Sequence, residues 1–334
     1  MNPIEERRRL LNRRQFFGRA TGSVAAGVGV GALASLLARD GRAAEAPRRP
    51  HHAARARRVI YLHMMGGPSQ LDLFDHKPAL REHAGEDLRA MPDVYQDQRI
   101  TGMTSGQSTL PLVPSTFSFE HHANDTDGIW VSELFPHTAA IAGELTFIRS
   151  MHTEAINHEP GVCFMQTGSQ IPGRPSIGAW LGYGLGSAND ELPAFVVLIS
   201  QGFGNMQPLS TRLWSSGFLP GEHQGVRLRS ADDPVLFLND PPGVRRADRR
   251  RMLDLVGELN EAEFRRSGDP EVRTRIAQAE MAFRMQMSVP DLTDFSGESD
   301  ETLALYGDDV RKPGTFAANC LLARRLAERD VRFV

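Results

Sequence analysis

Residues 152–173 read HTEAINHEPGVCFMQTGSQIPG, a polar loop that runs into a helix. Glu159, Pro160 and Gly161 suit a first helical turn, where proline is tolerated because its missing N–H would be unpaired anyway. Val162, Cys163, Phe164, Met165 and Thr167 continue the helix. Gly168 can stop it, and Pro172 with Gly173 prevents its return. The start of such a helix presents unpaired backbone N–H groups and the positive end of the helix dipole, a place to hold an anion such as phosphate or sulfate. His152, Glu154, Asn157, His158 and Glu159 crowd at or just before that end.

Working outward, residues 145–149 (LTFIR) read as a strand that delivers this loop. Residues 59–65 (VIYLHMM) form a nearly continuous apolar run, the pattern of a strand covered on both faces in a parallel sheet. GGPSQLDLFDHKP follows at 66–78. Polar groups just past the carboxyl end of a central strand are where open α/β sheets place ligands. Asp72 is the leading metal-ligand candidate, followed by Asp75 and His76, since zinc and hard cations such as calcium accept carboxylate oxygen. The same aspartates suit Asx turns in a tight loop. Residues 194–199 (AFVVLI) are a third strand. Two strand ends loaded with polar residues are expected to meet in one site, with His152 as a further metal ligand. The expected fold is α/β, a mainly parallel sheet flanked by helices.

Elsewhere the patterns are plainer. Residues 85–128 are expected to be loops, with a short hairpin near 99–101, and His121, His122, Asp125 and Asp127 to lie on a surface loop. Ser132 is placed as a helix cap, with Leu134, His137, Thr138 and Ile141 on one face. Residues 177–185 form a glycine-interrupted helix. Phe203, Trp214 and Phe218 sit in a long loop, either anchoring it or stacking on a sugar. Met252, Val256, Leu259 and Glu263 fall on helical spacing, with Leu253 and Phe264 widening the apolar stripe. Asp269 caps and Pro270 starts a second helix bearing Val272, Ile276, Ala279, Phe283 and Met287 on one face, and Met281, Met285 and Met287 are packing residues. A last helix spans 315–329, and 331–334 begins like a strand. Because a strand normally continues into further chain, the domain from residue 58 is expected to be incomplete at 334, an N-terminal fragment.

A net charge of −3 with a pI near 6.4 argues against a nucleic-acid surface. The two cysteines, Cys163 and Cys320, make neither a disulfide framework nor a metal cluster and read as inert buried thiols. No G-x-G-x-x-G or G-x-x-x-x-G-K-[ST] pattern follows residues 59–65, which disfavours a nucleotide-binding enzyme. At the N-terminus, Asn12-Arg13-Arg14-Gln15-Phe16-Phe17 resembles a twin-arginine export signal. A weakly hydrophobic run and the cleavage patterns Ala44-Glu45-Ala46 or Gly41-Arg42-Ala43 follow it. Residues 1–46 are therefore expected to be a signal peptide and 47–57 a basic linker, with export to the periplasm or cell surface. Membrane contact would come only through the signal segment, if uncleaved.

Pro160, Thr167 and Gly168 also fall in the register of the sulfatase signature C-x-P-S-R-x-x-L-x-T-G, with His158 where that signature places its nucleophile and Gly161 and Val162 replacing Ser and Arg. Together with the 66–78 segment, SMHTEAINHEP and the twin-arginine start, the sequence resembles an exported bacterial family of unknown function, number fifteen hundred and one in the domain-of-unknown-function series, which is usually described as sulfatase-like. The resemblance implies an alkaline phosphatase-like α/β fold. It also implies a metal-dependent hydrolase of sulfate or phosphate esters, on a small molecule or a polysaccharide. In that picture Asp72, Asp75 and His152 hold zinc or calcium, and His158 and Asn157 are catalytic. Gln70 and Glu159 line the anion site. The alternative is a catalytically inactive sulfatase-like scaffold that binds glycan or a cell-surface partner, since neither Cys, Ser nor Thr stands at position 158.

Overall fold

The computed structural model describes residues 52–91, 93, 104, 106–123, 127–200, 210–229 and 243–334. The signal segment, the hairpin expected near 99–101, Asp125 and Phe203 lie outside these residues. The chain divides into a unit of residues 1–56 and a unit of residues 57–334. The second unit carries every element that follows.

Its first part is built around a hairpin. A 3-10 turn at Gln70–Asp72, helix α1 (Ala79–Glu82) and a second 3-10 turn at Leu88–Ala90 lead to β1 (Phe119–His122), which pairs antiparallel with β2 (Ile129–Ser132). Ile129 and Val131 point inward and Trp130 outward, the two-residue alternation of a strand with one buried face. β1 falls within residues 85–128, expected to be loops, so His121 and His122 lie on a paired strand and not on a surface loop. Ser132 consequently ends a strand instead of capping a long helix: its hydroxyl accepts the N–H of Leu134, and the helix that follows, α2, covers only Pro136–Ala140. Phe74, Phe135 and Phe147 pack on Ile129, Val131 and Ala142.

Helix α3 (His158–Thr167) starts and stops as its sequence requires. Gly168 sits at φ 70° and returns its N–H to Phe164 O, a turn that only glycine adopts without strain. Next come α4 (Ile177–Leu185), β3 (Val196–Leu198), a 3-10 turn at Thr211–Trp214 and β4 (Val226–Leu228). A helical hairpin of α5 (Arg246–Ser267) and α6 (Pro270–Thr293) follows, then α7 (Asp300–Tyr306) and α8 (Phe316–Glu328). Asp269 accepts the N–H of Glu271 at 3.0 Å and Thr315 that of Ala318 at 3.2 Å, so both helices begin on side-chain caps. The main core joins Val196 and Leu228 to Met285, Val289 and Leu292 of α6 and Leu322 and Leu326 of α8. A neighbouring cluster of Cys163, Phe195, Leu213, Trp214 and Phe333 roots α3.

The expectation of a mainly parallel sheet flanked by helices is overturned. The described strands form two two-stranded sheets, β1 with β2 antiparallel and β3 with β4 parallel. Residues 59–65 do not form a strand covered on both faces. Val59 bridges Phe333, and Val59 N and Tyr61 N donate to Arg332 O and Val334 O, but Ile60, Leu62 and Met64 are exposed. Only the alternate residues Tyr61, His63 and Met65 turn partly inward. Residues 145–149 are not a strand either: a 3-10 turn at Ala142–Glu144 precedes them and Ile148 is exposed. An apolar run specifies burial only when two neighbouring layers exist to cover it, and here it has a single one. Among the described residues no helix is long and apolar enough to cross a membrane.

Candidate functional site

At the mouth of α3 the backbone of Asn157 is extended and its side chain makes no cap bond; the first intrahelical bond runs from Gly161 N to Asn157 O. Pro160 has no N–H, so the N–H groups of His158 and Glu159 are the ones this end presents. The incoming loop is folded by a bond from Ala155 N to Thr153 Oγ1 of 3.1 Å, and Ala155 lies against the first helical turn at Gly161. At the far end, Thr167 Oγ1 donates to Cys163 O at 2.8 Å, which closes the last turn.

Two other segments reach this mouth. Gly67 stands at φ +61°, and a methyl group placed there would lie 3.8 Å from His158 Nδ1. The turn after residues 59–65 therefore passes close to the His158 ring at Gly67. Arg212, raised on the 3-10 turn anchored by buried Trp214, forms an ion pair of 3.0 Å with Glu159 and donates from Nε to Ser210 Oγ at 2.7 Å. The guanidinium offsets the carboxylate that would otherwise repel an anion there. His152, Asn157, His158 and Glu159 are all exposed.

The 70–76 segment is spent differently. Asp72 N donates to Ser69 O and closes the 3-10 turn, and Gln70 O accepts the N–H groups of Leu73, Phe74 and Asp75. Ser132 N donates to Leu73 O and ties the turn to β2. Asp75 pairs with Lys77 at 3.0 Å, and the His76 ring packs 4.9 Å from Phe119 and 4.6 Å from Trp130. His121 Nε2 lies 3.1 Å from Asp127 O across the hairpin. Among the described residues no group of three or more His, Cys, Asp or Glu comes together in a way that could hold a metal ion.

The model of a family described as a protein of unknown function (DUF1501) matches residues 56–334. The chain belongs to that family. No curated protein and no solved structure matches it. Two residues at the mouth, and a third on residues 59–65, were not singled out in the sequence. Gly67 and Arg212 gain their meaning only through contacts made over long stretches of chain. His63 had a signal, the two-residue period that sets it beside Tyr61 on the inward face of 59–65. Its Nδ1 is 3.2 Å from the Tyr61 hydroxyl, its Nε2 is buried with no hydrogen-bond partner among the described residues, and burial lowers its pKa from the usual histidine value. Of the two thiols, Cys163 is buried as expected, whereas Cys320 is only partly buried, and desolvation pushes its thiol up from its ordinary value.

Proposed function

We propose that this protein is an exported hydrolase of sulfate or phosphate monoesters, working in the periplasm or at the cell surface on a small molecule or a polysaccharide. The observation that carries the reading is the mouth of α3, where two helix-end N–H groups and an imidazole from adjacent residues stand beside a guanidinium that the ion pair with Glu159 brings in from far along the chain. The N–H groups of His158 and Glu159, with Arg212, hold the non-bridging oxygens, since charge-assisted bonds to such oxygens are about twice as strong as neutral ones. Arg212 keeps its ion pair with Glu159 and reaches the ester through Nη1. Water attacks phosphorus or sulfur as the bond to the bridging oxygen breaks; the His158 imidazole passes a proton to the departing alkoxide and takes one back from the water that has added, which leaves the alcohol, free phosphate or sulfate and a restored His158. Asn157, whose amide is not spent on capping, orients the ester. The described residues gather no donor set for zinc or calcium, so no step here rests on a metal at Asp72, Asp75 or His152.

The test is release of free phosphate or sulfate from alkyl and sugar monoesters by the full-length protein. We expect His158→Ala to lower turnover about 10²–10⁴-fold, the usual range for a positioned acid or base. Arg212→Ala should chiefly raise KM. Ester cleavage that is the same in His158→Ala as in the parent would refute the assignment.

A second reading, a catalytically inactive scaffold that binds glycan, is favoured by a different observation. Trp180, Tyr183 and Phe218 are exposed side by side, the Trp180 ring 6.2 Å from Tyr183 and 5.7 Å from Phe218. Exposed aromatic rings of this kind offer apolar faces with polar edges. Saturable glycan binding lost in Trp180→Ala, with no ester cleavage, would select this reading.

A further inference from the structure

Helix α5 is turned the opposite way from an ordinary amphipathic helix. Toward α6 it presents arginines: Arg246 and Arg250 lie 4.4 and 4.9 Å from the centre of the Phe283 ring, and Arg250 Nη1 donates to Glu280 Oε2 at 2.9 Å. Phe264 on the same side receives Arg273 at 3.9 Å. At 100° per residue, the positions about 180° away from this face are Met252, Leu255 and Leu259, with Val256 beside them. These are 62%, 61%, 66% and 46% exposed. Of the apolar positions that the sequence singles out, Met252, Val256 and Leu259 therefore face solvent, while Leu253 and Phe264 are partly buried and Phe264 meets Arg273 of α6.

The stripe has the 3-4-3 spacing of a coiled-coil seam, Met252, Leu255, Leu259 and Ala262, over a helix of 22 residues. Its ends are charged in a self-complementary order. Asp248 and Arg249 precede the stripe, and Glu263 and Arg266 follow it. If a second α5 is laid antiparallel with the two-fold axis level with Gly257, Leu255 faces Leu259 of the other copy and Met252 faces Ala262. Asp248 then faces Arg266, and Arg249 stands beside Glu263. A parallel pairing sets each charge against itself. Asp248 now holds Arg251 and the helix N-cap residue Arg245, and Glu263 holds Arg266; all three arginines are local partners at three-residue spacing and are exposed enough to exchange.

We propose that this face of α5 is the interface of a homodimer, formed by two antiparallel α5 helices from two copies of the chain. Isologous pairing of one patch with itself is the commonest route to a closed dimer. The test is sedimentation velocity of the full chain over a range of concentrations. A concentration-dependent dimer is expected, with Leu255→Glu weakening it by at least about tenfold, a shift of roughly 1.4 kcal/mol. Arg249→Glu and Glu263→Arg should each weaken it, and the double exchange should restore it. All these positions are solvent-facing or half-exposed, so circular dichroism should be unchanged. A chain that stays monomeric, including one whose stripe is protected from hydrogen exchange by another part of the same molecule, would overturn the proposal. So would a dimer that Leu255→Glu leaves intact.

Discussion

The 66–76 and 152–159 loops look alike in the sequence, each a polar tip after an apolar run, yet they end in different environments. In the first, Phe74 and His76 are absorbed into packing around the β1–β2 hairpin and Asp75 is held by Lys77. In the second, His158 and Glu159 stand exposed at an uncapped helix start faced by Gly67 and Arg212. A polar loop becomes a structural strap when aromatic residues within it find a hydrophobic layer. It stays open to ligands when its apolar anchors lie further along the chain, as Cys163 does in α3.

Four changes would sharpen or break this contrast. The largest effect belongs to Trp214→Ala, which empties the cluster beneath both α3 and Arg212. We expect a loss of about 3–5 kcal/mol, the usual cost of truncating a buried tryptophan, read from denaturant unfolding. Gly67→Ala comes next. Its methyl meets His158 at an ordinary van der Waals distance, so the cost is the left-handed backbone alone, about 1–2 kcal/mol. His76→Ala should cost about 0.5–1.5 kcal/mol through lost ring packing, and a strap residue of this kind should leave phosphate binding at the α3 mouth unchanged. If His76→Ala abolished binding, the division between strap and site would fail.

The smallest effect is a pH dependence at His63. Burial sets its folded pKa below that of the unfolded chain, so the unfolded state takes up the proton first. Stability from this group is complete above the unfolded pKa of about 6.5 and is lost as pH falls from there toward the folded value. His63→Phe should flatten that part of the stability curve, measured by thermal unfolding between pH 7 and 5.

What the sequence made legible was local. The limits of α3 follow from Pro160 and Gly168, the start of α6 from Asp269, and α4 and β3 from their own periods. Each is decided within a few residues by backbone chemistry. The parallel sheet failed because apolar runs report tolerance of burial without reporting how many layers arrive to bury them. The orientation of α5 is a related case: Met252, Val256 and Leu259 mark an apolar face, but Phe283 and Glu280 decide which face meets α6. At the candidate site, His158, Glu159 and Asn157 were legible from the helix start. Arg212, 53 residues beyond Glu159, was not, since nothing in a loop rich in Gly, Pro and Ser says which side chain returns to a distant helix.

The central claim is that the mouth of α3 receives an oxyanion. The most direct test is titration of the full-length protein with inorganic phosphate while the ring resonances of its histidines are followed by NMR. The account predicts a saturable shift of the His158 ring that Arg212→Ala weakens or removes, with the His76 ring unmoved. A His158 resonance that stays in place through the titration of the folded protein, or a shift that follows His76 instead, would contradict it.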